Sequence, residues 1–219
     1  MVFKKHDDYN WDTYTQTHYK KQLETFLLTG DANGNGKDMI VNNFSIVDGE
    51  LNFKDNLHPN WKELYHQVTK LNVKKIFECG CGCAHHLINI YRINPEIDIN
   101  GCDYSQSQIN LGKEKFNLNQ YPFSNKLYVK DLAIIQNIKD EDISDFVFTQ
   151  AVTMHLEHNK AKNMLINMGK LSSKYIFLME NWSKHNYENL LSEALPNFKI
   201  IHRPNDSYKY QNYCLLEKI

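Results

Sequence analysis

Seven residues, Glu78-Cys79-Gly80-Cys81-Gly82-Cys83-Ala84, hold the clearest chemical pattern in the chain. Glycine takes backbone angles that a side chain forbids, and it lets a ligand approach the main chain. Free N–H groups at the start of a following helix then face negative charge. Asp103 closes the next apolar run, where a carboxylate can accept hydrogen bonds from both hydroxyls of a ribose. These groups suit a molecule with a ribose and an acidic or dipolar tail. Farther along, His155 follows Gln150, and His185 follows Glu180-Asn181. Histidine titrates near neutral pH, so this region could move a proton.

Such groups must be positioned by strand ends. Ile76 and Phe77 belong to a short apolar run that reads as a buried strand. His85 to Arg92 reads as a helix, and Ile97 to Cys102 as a second strand. Strand, glycine turn, helix, strand and acid make one half of a nucleotide-binding α/β sheet. The alternation continues with a helix from Ser105 to Phe116, capped by Ser105. A third strand from Lys126 to Leu132 and a fourth from Asp145 to Gln150 follow. A helix from His158 to Leu171, a fifth strand from Tyr175 to Asn181 and a helix from His185 to Leu195 come next. Phe198 to His202 and Tyr208 to Leu216 then flank a turn at Pro204-Asn205-Asp206. A parallel pair needs a crossover, so these last two strands form an antiparallel hairpin. Upstream, the spacing predicts a helix from Trp11 to Leu28 stopped by Gly30. A hairpin around Asp48-Gly49 and a helix from Asn60 to Leu71 come before the first sheet strand.

The dinucleotide fingerprint wants a third glycine at position 85, and His85 stands there. The pattern is instead acid-x-Gly-x-Gly-x-small, on Glu78, Gly80, Gly82 and Ala84. It resembles motif I of the class I S-adenosylmethionine (SAM)-dependent methyltransferases, with Ala84 in place of the usual last glycine. Five parallel strands closed by a terminal hairpin also resemble that family's seven-stranded sheet, over roughly residues 60 to 219. The resemblance implies an α/β fold with a mostly parallel sheet, helices on both faces and a C-terminal antiparallel hairpin. Residues 1–59 would form a lid and substrate-binding segment, and residues 60–219 the SAM-binding domain.

Carried over to matching positions, the family's roles place Glu78, Gly80 and Gly82 beside the methionine part of the cofactor. Asp103 would take the ribose, Tyr104 would lie near the adenine, and Asp131 and Leu132 would meet its edge. Gln150 would face the sulfonium region, and His85 and His86 would flank the cofactor's carboxyl end. Tyr14, on the lid helix, would close over the cofactor, with His18 and Tyr19 toward the substrate. His155 is the first choice for a general base, with His185 and Glu180 as further catalytic candidates and Asn181 as an acceptor ligand. The product would be S-adenosylhomocysteine (SAH). The implied acceptor is a small polar molecule, an oxygen of a sugar or of a phosphorylated or nucleotide-linked intermediate in bacterial surface-polysaccharide synthesis. Two alternatives stay open: N-methylation of a small amine, which needs no base, and a non-catalytic SAM-binding partner subunit. An NAD-linked oxidoreductase is the competitor from another cofactor class.

The totals narrow the field. The chain has 219 residues, 42% hydrophobic, with Lys+Arg 25 against Asp+Glu 26. The balanced charge and the lack of a long basic run argue against a nucleic-acid partner. The amino-methylating Asn/Asp-Pro-Pro-Tyr signature is missing after the fourth strand, where Thr149-Gln150-Ala151-Val152 stands. No apolar stretch nears the roughly 18 residues of a membrane span. Five cysteines, three of them crowded in the glycine turn, fit a reduced cytoplasmic protein. A monomer or homodimer is expected, with no metal. Asp31, Asn33, Asn35 and Gly36 copy half of an EF-hand loop, but its twelfth position is Asn42 rather than Glu. Cys79, Cys81 and Cys83 alternate too closely for a zinc half-site.

Overall fold

The computed structural model describes residues 10–31, 36–204 and 213–219. Asn33 and Asn35 of the EF-hand-like loop lie outside the described residues. So do the turn at Asn205-Asp206 and residues 208–212 of the last expected strand.

Helix α1 (Trp11–Tyr14) starts where the Asn10 side chain accepts the Thr13 N–H. It runs through a π-helical turn at Thr15–Tyr19 into α2 (Lys20–Thr29). The Thr15 hydroxyl donates to the Trp11 carbonyl at 2.6 Å, a back-bond that competes with the helical ladder. Gly30 then ends α2 at φ 81°. Strands β1 (Phe44–Val47) and β2 (Glu50–Phe53) pair across Asp48 and Gly49, both at positive φ, as a tight hairpin turn requires. Helix α3 (Pro59–Lys70) begins with proline at its first position, and the His58 ring accepts the Asn60 N–H.

The sheet elements follow as β3 (Lys75–Cys79), α4 (His85–Ile93), β4 (Asp98–Asp103), α5 (Gln106–Phe116) and β5 (Leu127–Val129). Then come β6 (Ser144–Gln150), α6 (His158–Leu171), β7 (Ser172–Met179), α7 (Tyr187–Ala194), β8 (Phe198–His202) and β9 (Cys214–Lys218). The strand order is β5-β4-β3-β6-β7-β9-β8. The first five strands are parallel, and β9 lies antiparallel between β7 and β8.

Alternation along the central strands builds two cores, because successive side chains leave a strand on opposite faces. Ile76, Phe146, Phe148 and Phe177 pack on one face with α3, α4 and α5. Phe77, Val147, Ile176 and Leu178 pack on the other with α6 and α7. Leu23, Met39, Val41, Leu51 and Leu57 from the N-terminal elements join the first of these cores. No helix of the described residues is long and apolar enough to cross a membrane.

The last strand runs to Lys218 rather than Leu216, and three boundaries at the site also differ from the sequence expectation. The third sheet strand stops at Val129, short of Leu132, because the Asp131 carboxylate accepts the Ala133 N–H and turns the chain. The fifth sheet strand spans Ser172–Met179, so Asn181 lies beyond it. The helix expected from His185 starts at Tyr187, because Asn186 and not His185 caps it by accepting the Asn189 N–H.

At Gly112, α5 packs directly against the glycine turn. A Cβ there would stand 2.5 Å from the Cys83 carbonyl oxygen. Gly112→Ala is expected to destabilise the fold by about 1–3 kcal/mol, as overpacking does. A lower urea midpoint at unchanged slope would show this; an unmoved midpoint would mean that the helix can slide away.

Candidate functional site

The turn after β3 is built from left-handed backbone. Gly80, Gly82 and Ala84 have φ of 76°, 52° and 60°. A Cβ on Gly80 would meet Val152 Cγ2 at 2.4 Å. Ala84 thus occupies the position that a glycine fills at lower cost, since a left-handed residue with a Cβ is strained. The turn is fixed from β4: Gly80 and Cys81 donate to the Cys102 carbonyl at 2.8 and 2.9 Å. Asp103 completes it, one oxygen accepting the Gly82 N–H at 2.7 Å and the other the Ser105 N–H at 2.8 Å. Burial pushes the Asp103 carboxyl up to about 6 despite these two donors.

Beyond these strand ends lies a cavity of about 720 Å³, within the roughly 300–1,000 Å³ of small-molecule sites. Glu78, Gly80, Gly82, Asp103, Tyr104, Asp131, Leu132, Gln150 and Tyr14 all line it, as do Tyr19 and His155. Glu78 is buried at 2% exposure, and among the described residues its Oε2 has no hydrogen-bond partner. Desolvation, with Asp103 nearby, holds its carboxyl well above the usual range. Burial raises all four cysteine thiols around the turn, Cys83 to about 12, which disfavours the thiolate.

The N-terminal helix closes over this site through a specific latch. The Asp12 carboxylate accepts from the Ser105 hydroxyl at 2.6 Å and from the Ser107 N–H at 3.0 Å, at the start of α5. Gln108 donates to the Thr15 hydroxyl at 2.9 Å. Trp11 then lies edge-on to His155, ring centroids 5.4 Å apart.

Four expected site residues stand elsewhere. His18 is exposed, stacked on the outer side of Tyr14 at 5.5 Å and bonded to the Thr17 hydroxyl; it does not line the cavity. Asn181 is turned to its own loop, accepting from the Ser183 N–H and hydroxyl. Glu180 and His185 are buried behind the site rather than in it. One Glu180 oxygen accepts the N–H groups of Val152 and Thr153, and the other that of Met154. His185 Nε2 lies 2.9 Å from the Thr153 carbonyl, so this nitrogen carries the proton and donates. Tyr187 and Thr153 join hydroxyls at 2.8 Å. These side chains form a bracket that holds the turn after β6 and presents His155. A loop whose N–H groups lack regular partners needs such an acceptor, so the strand-end acid and histidine were legible, and their direction was not.

Reading the sequence passed over Phe26, Met39 and Trp61, which also line the cavity, because their spacing is that of core residues. His85, expected beside the cofactor, lines it as well.

Comparison with known proteins bears on this geometry. No protein-family model matches the chain, and no curated protein matches it. Solved structures do. A magnesium protoporphyrin IX methyltransferase from Synechocystis PCC 6803, with SAM bound, aligns at TM-score 0.55 and 14% identity, over 73% of this chain and 78% of that one. The class I methyltransferase fold is the fold of this chain. CalS10 from Micromonospora echinaspora, an amino pentose methyltransferase with SAM bound, aligns at TM-score 0.58 and 9% identity, over 74% and 91%. The methyltransferase domain of bacterial CtHen1-C gives TM-score 0.57 and 11% identity, over 74% and 97%. At such identities the likeness is one of fold, and it agrees with the strand order given above.

The bracket has a pH signature. Burial raises Glu180 from 4.5 to about 7, so the folded chain binds this proton more tightly than the unfolded chain does. Its contribution to stability is therefore full below about pH 4.5 and declines as pH rises toward 7. Glu180→Gln is expected to flatten that decline, read as a smaller difference between urea midpoints at pH 5 and pH 8. An unchanged difference would place the titration elsewhere.

Proposed function

We propose that the protein is a SAM-dependent methyltransferase acting on a small acceptor. The observation that carries this reading is the pairing of a left-handed glycine turn with Asp103, joined through the Gly82 N–H at the mouth of one cavity. The residues present suit the cofactor. Gly80 and Gly82 leave main chain exposed to a ligand tail, and Asp103 keeps lone pairs for ribose hydroxyls beyond its two backbone donors. Glu78 lines the cavity as a buried carboxyl, whose charged form an ammonium group would stabilise. Tyr104, Asp131 and Leu132 form the wall for the adenine, Gln150 faces the sulfonium region, and Tyr14 covers them.

SAM supplies an electrophilic methyl group whose leaving group is a neutral thioether. The protein's own share is alignment and exclusion of water. The lid latched by Asp12 provides the cover, and the Glu180 bracket fixes the acceptor-side turn. For a hydroxyl acceptor, His155 is the residue placed to take the proton, held edge-on by Trp11. We assign no catalytic step to His185 or Glu180. The five cysteines are free and buried, which supports a reducing compartment such as the cytoplasm. A sugar oxygen in surface-polysaccharide synthesis has only the family analogy behind it.

Calorimetric titration tests the reading. SAH is expected to bind and NAD to give no heat; the reverse would favour an oxidoreductase, and no heat with either a scaffold. Because the Asp103 carboxyl titrates at about 6, SAH affinity should be level above pH 7 and fall as pH drops below about 6. Asp103→Asn should bind SAH at least about tenfold more weakly, as loss of charged hydrogen bonds implies, and show no such step.

A further inference from the structure

Ser105 stands where two halves of the site meet. Its N–H donates to Asp103, and its hydroxyl oxygen accepts the Gln108 N–H at 3.2 Å as the cap of α5. Ser105 is fully buried, and a serine hydroxyl has one hydrogen to give. That hydrogen goes to Asp12, on the N-terminal helix, at 2.6 Å. Without Asp12 the buried hydroxyl would lose this acceptor, which is costly. Asp12 also accepts the Ser107 N–H at 3.0 Å, so another helix supplies α5 with a second cap. The Ser105 hydroxyl, followed by the Ser107 N–H, holds the Asp12 carboxyl below its usual value. The anion so favoured is also the form that suits the start of a helix.

Apolar burial adds little to the hold on α1, since none of its four residues is buried. Firmer anchors lie farther along the chain. Thr15 is tied to Gln108 in the π-helical turn, and Leu23 of α2 is buried in the core. The ion pairs Lys20–Glu114 and Glu24–Lys115, at 2.8 and 2.7 Å, fasten α2 along α5.

What α1 carries is Trp11, next in sequence to Asp12. Its ring meets the half-buried His155 ring at 77°, centroids 5.4 Å apart, a favourable edge contact. His155 ends the short 3-10 turn after β6. The Glu180 bracket holds the main chain just before it, at Val152, Thr153 and Met154. The contacts therefore run from Asp103 through Ser105, Asp12 and Trp11 to His155.

We propose that Asp12 is a positioning residue: by gripping Ser105 and Ser107 it seats Trp11 on His155 and keeps the helix closed over the cofactor. The acceptor half of the site is thereby assembled on the same serine that bonds to Asp103. The inference rests on the methyltransferase reading and deepens it; no proton transfer is assigned to Asp12 or Trp11.

The test is the nuclear Overhauser contact between the Trp11 and His155 rings in the full chain. The stacked Phe177–Tyr213 pair, centroids 4.7 Å apart in the core, serves as reference. In Asp12→Ala the Trp11–His155 contact should fall below about a third of its strength, with the reference unchanged. Asp12→Asn keeps an oxygen for both donors and should retain at least about half. SAH should leave Asp12→Ala at least about tenfold faster than the unaltered chain, and Asp12→Asn within about threefold. An undiminished Trp11–His155 contact in Asp12→Ala, or an equal loss in Asp12→Asn, would overturn the proposal. So would loss of the reference contact along with it, since Asp12 would then hold the fold and not Trp11. Unchanged SAH release from Asp12→Ala would overturn the link to the cofactor. If SAH fails to bind the unaltered chain, the methyltransferase reading fails, and the ring contact alone decides the role of Asp12.

Discussion

The hydrogen bond from the Gly82 N–H to Asp103, 2.7 Å long, ties the end of one strand to the turn that leaves its neighbour. Parallel strands bring their carboxyl ends to one edge, and the ligand crevice of an open α/β sheet lies outside that edge. Asp103 gives the turn a fixed acceptor, and its other oxygen starts α5 through Ser105. One carboxylate thereby sets the turn, the helix after it and, through Ser105, the landing point of Asp12 on the N-terminal helix. The left-handed residues Gly80, Gly82 and Ala84 are the conformational cost of the arrangement, and their geometry leaves main chain facing the cavity.

The two acidic strand ends are used in opposite ways. Asp103 faces the cavity, whereas Glu180 turns inward and gathers the N–H groups of Val152, Thr153 and Met154. Burial raises both groups, to about 6 and about 7, so near neutrality Asp103 is the more fully ionised of the two. The difference lies in what surrounds them. A carboxylate among loop N–H groups stiffens a loop, and one at a cavity mouth keeps lone pairs open to it.

Much of the fold was legible because local rules agreed. The strand–turn–helix at Glu78 to Ile93, the Ser105 cap and the Asp48-Gly49 hairpin each follow from residue type and spacing, and a sequence with no helical pattern after His202 points to the terminal hairpin. The strand-end positions of the site were legible too, since Asp131, Gln150 and His155 all reach the cavity. What resisted reading was side-chain direction in loops. Glu180 and His185 sit in sequence where acceptor ligands would sit, yet packing of α7 against the turn draws both inside. His18 differs from Tyr14 by one helical turn, and the π-helical segment between α1 and α2 shifts the register that would have brought it inward. Trp61 and Phe26 carry the same spacing signal whether they meet a core or a cavity.

The most direct measurement is a crystal structure of the protein with SAH. The account predicts adenosine between Tyr104 and Leu132, both ribose hydroxyls on Asp103 with its bond to the Gly82 N–H intact, and the amino-acid tail against Gly80 and Glu78. A turn with no ligand, or an Asp103 carboxylate directed away from the sugar, would contradict it.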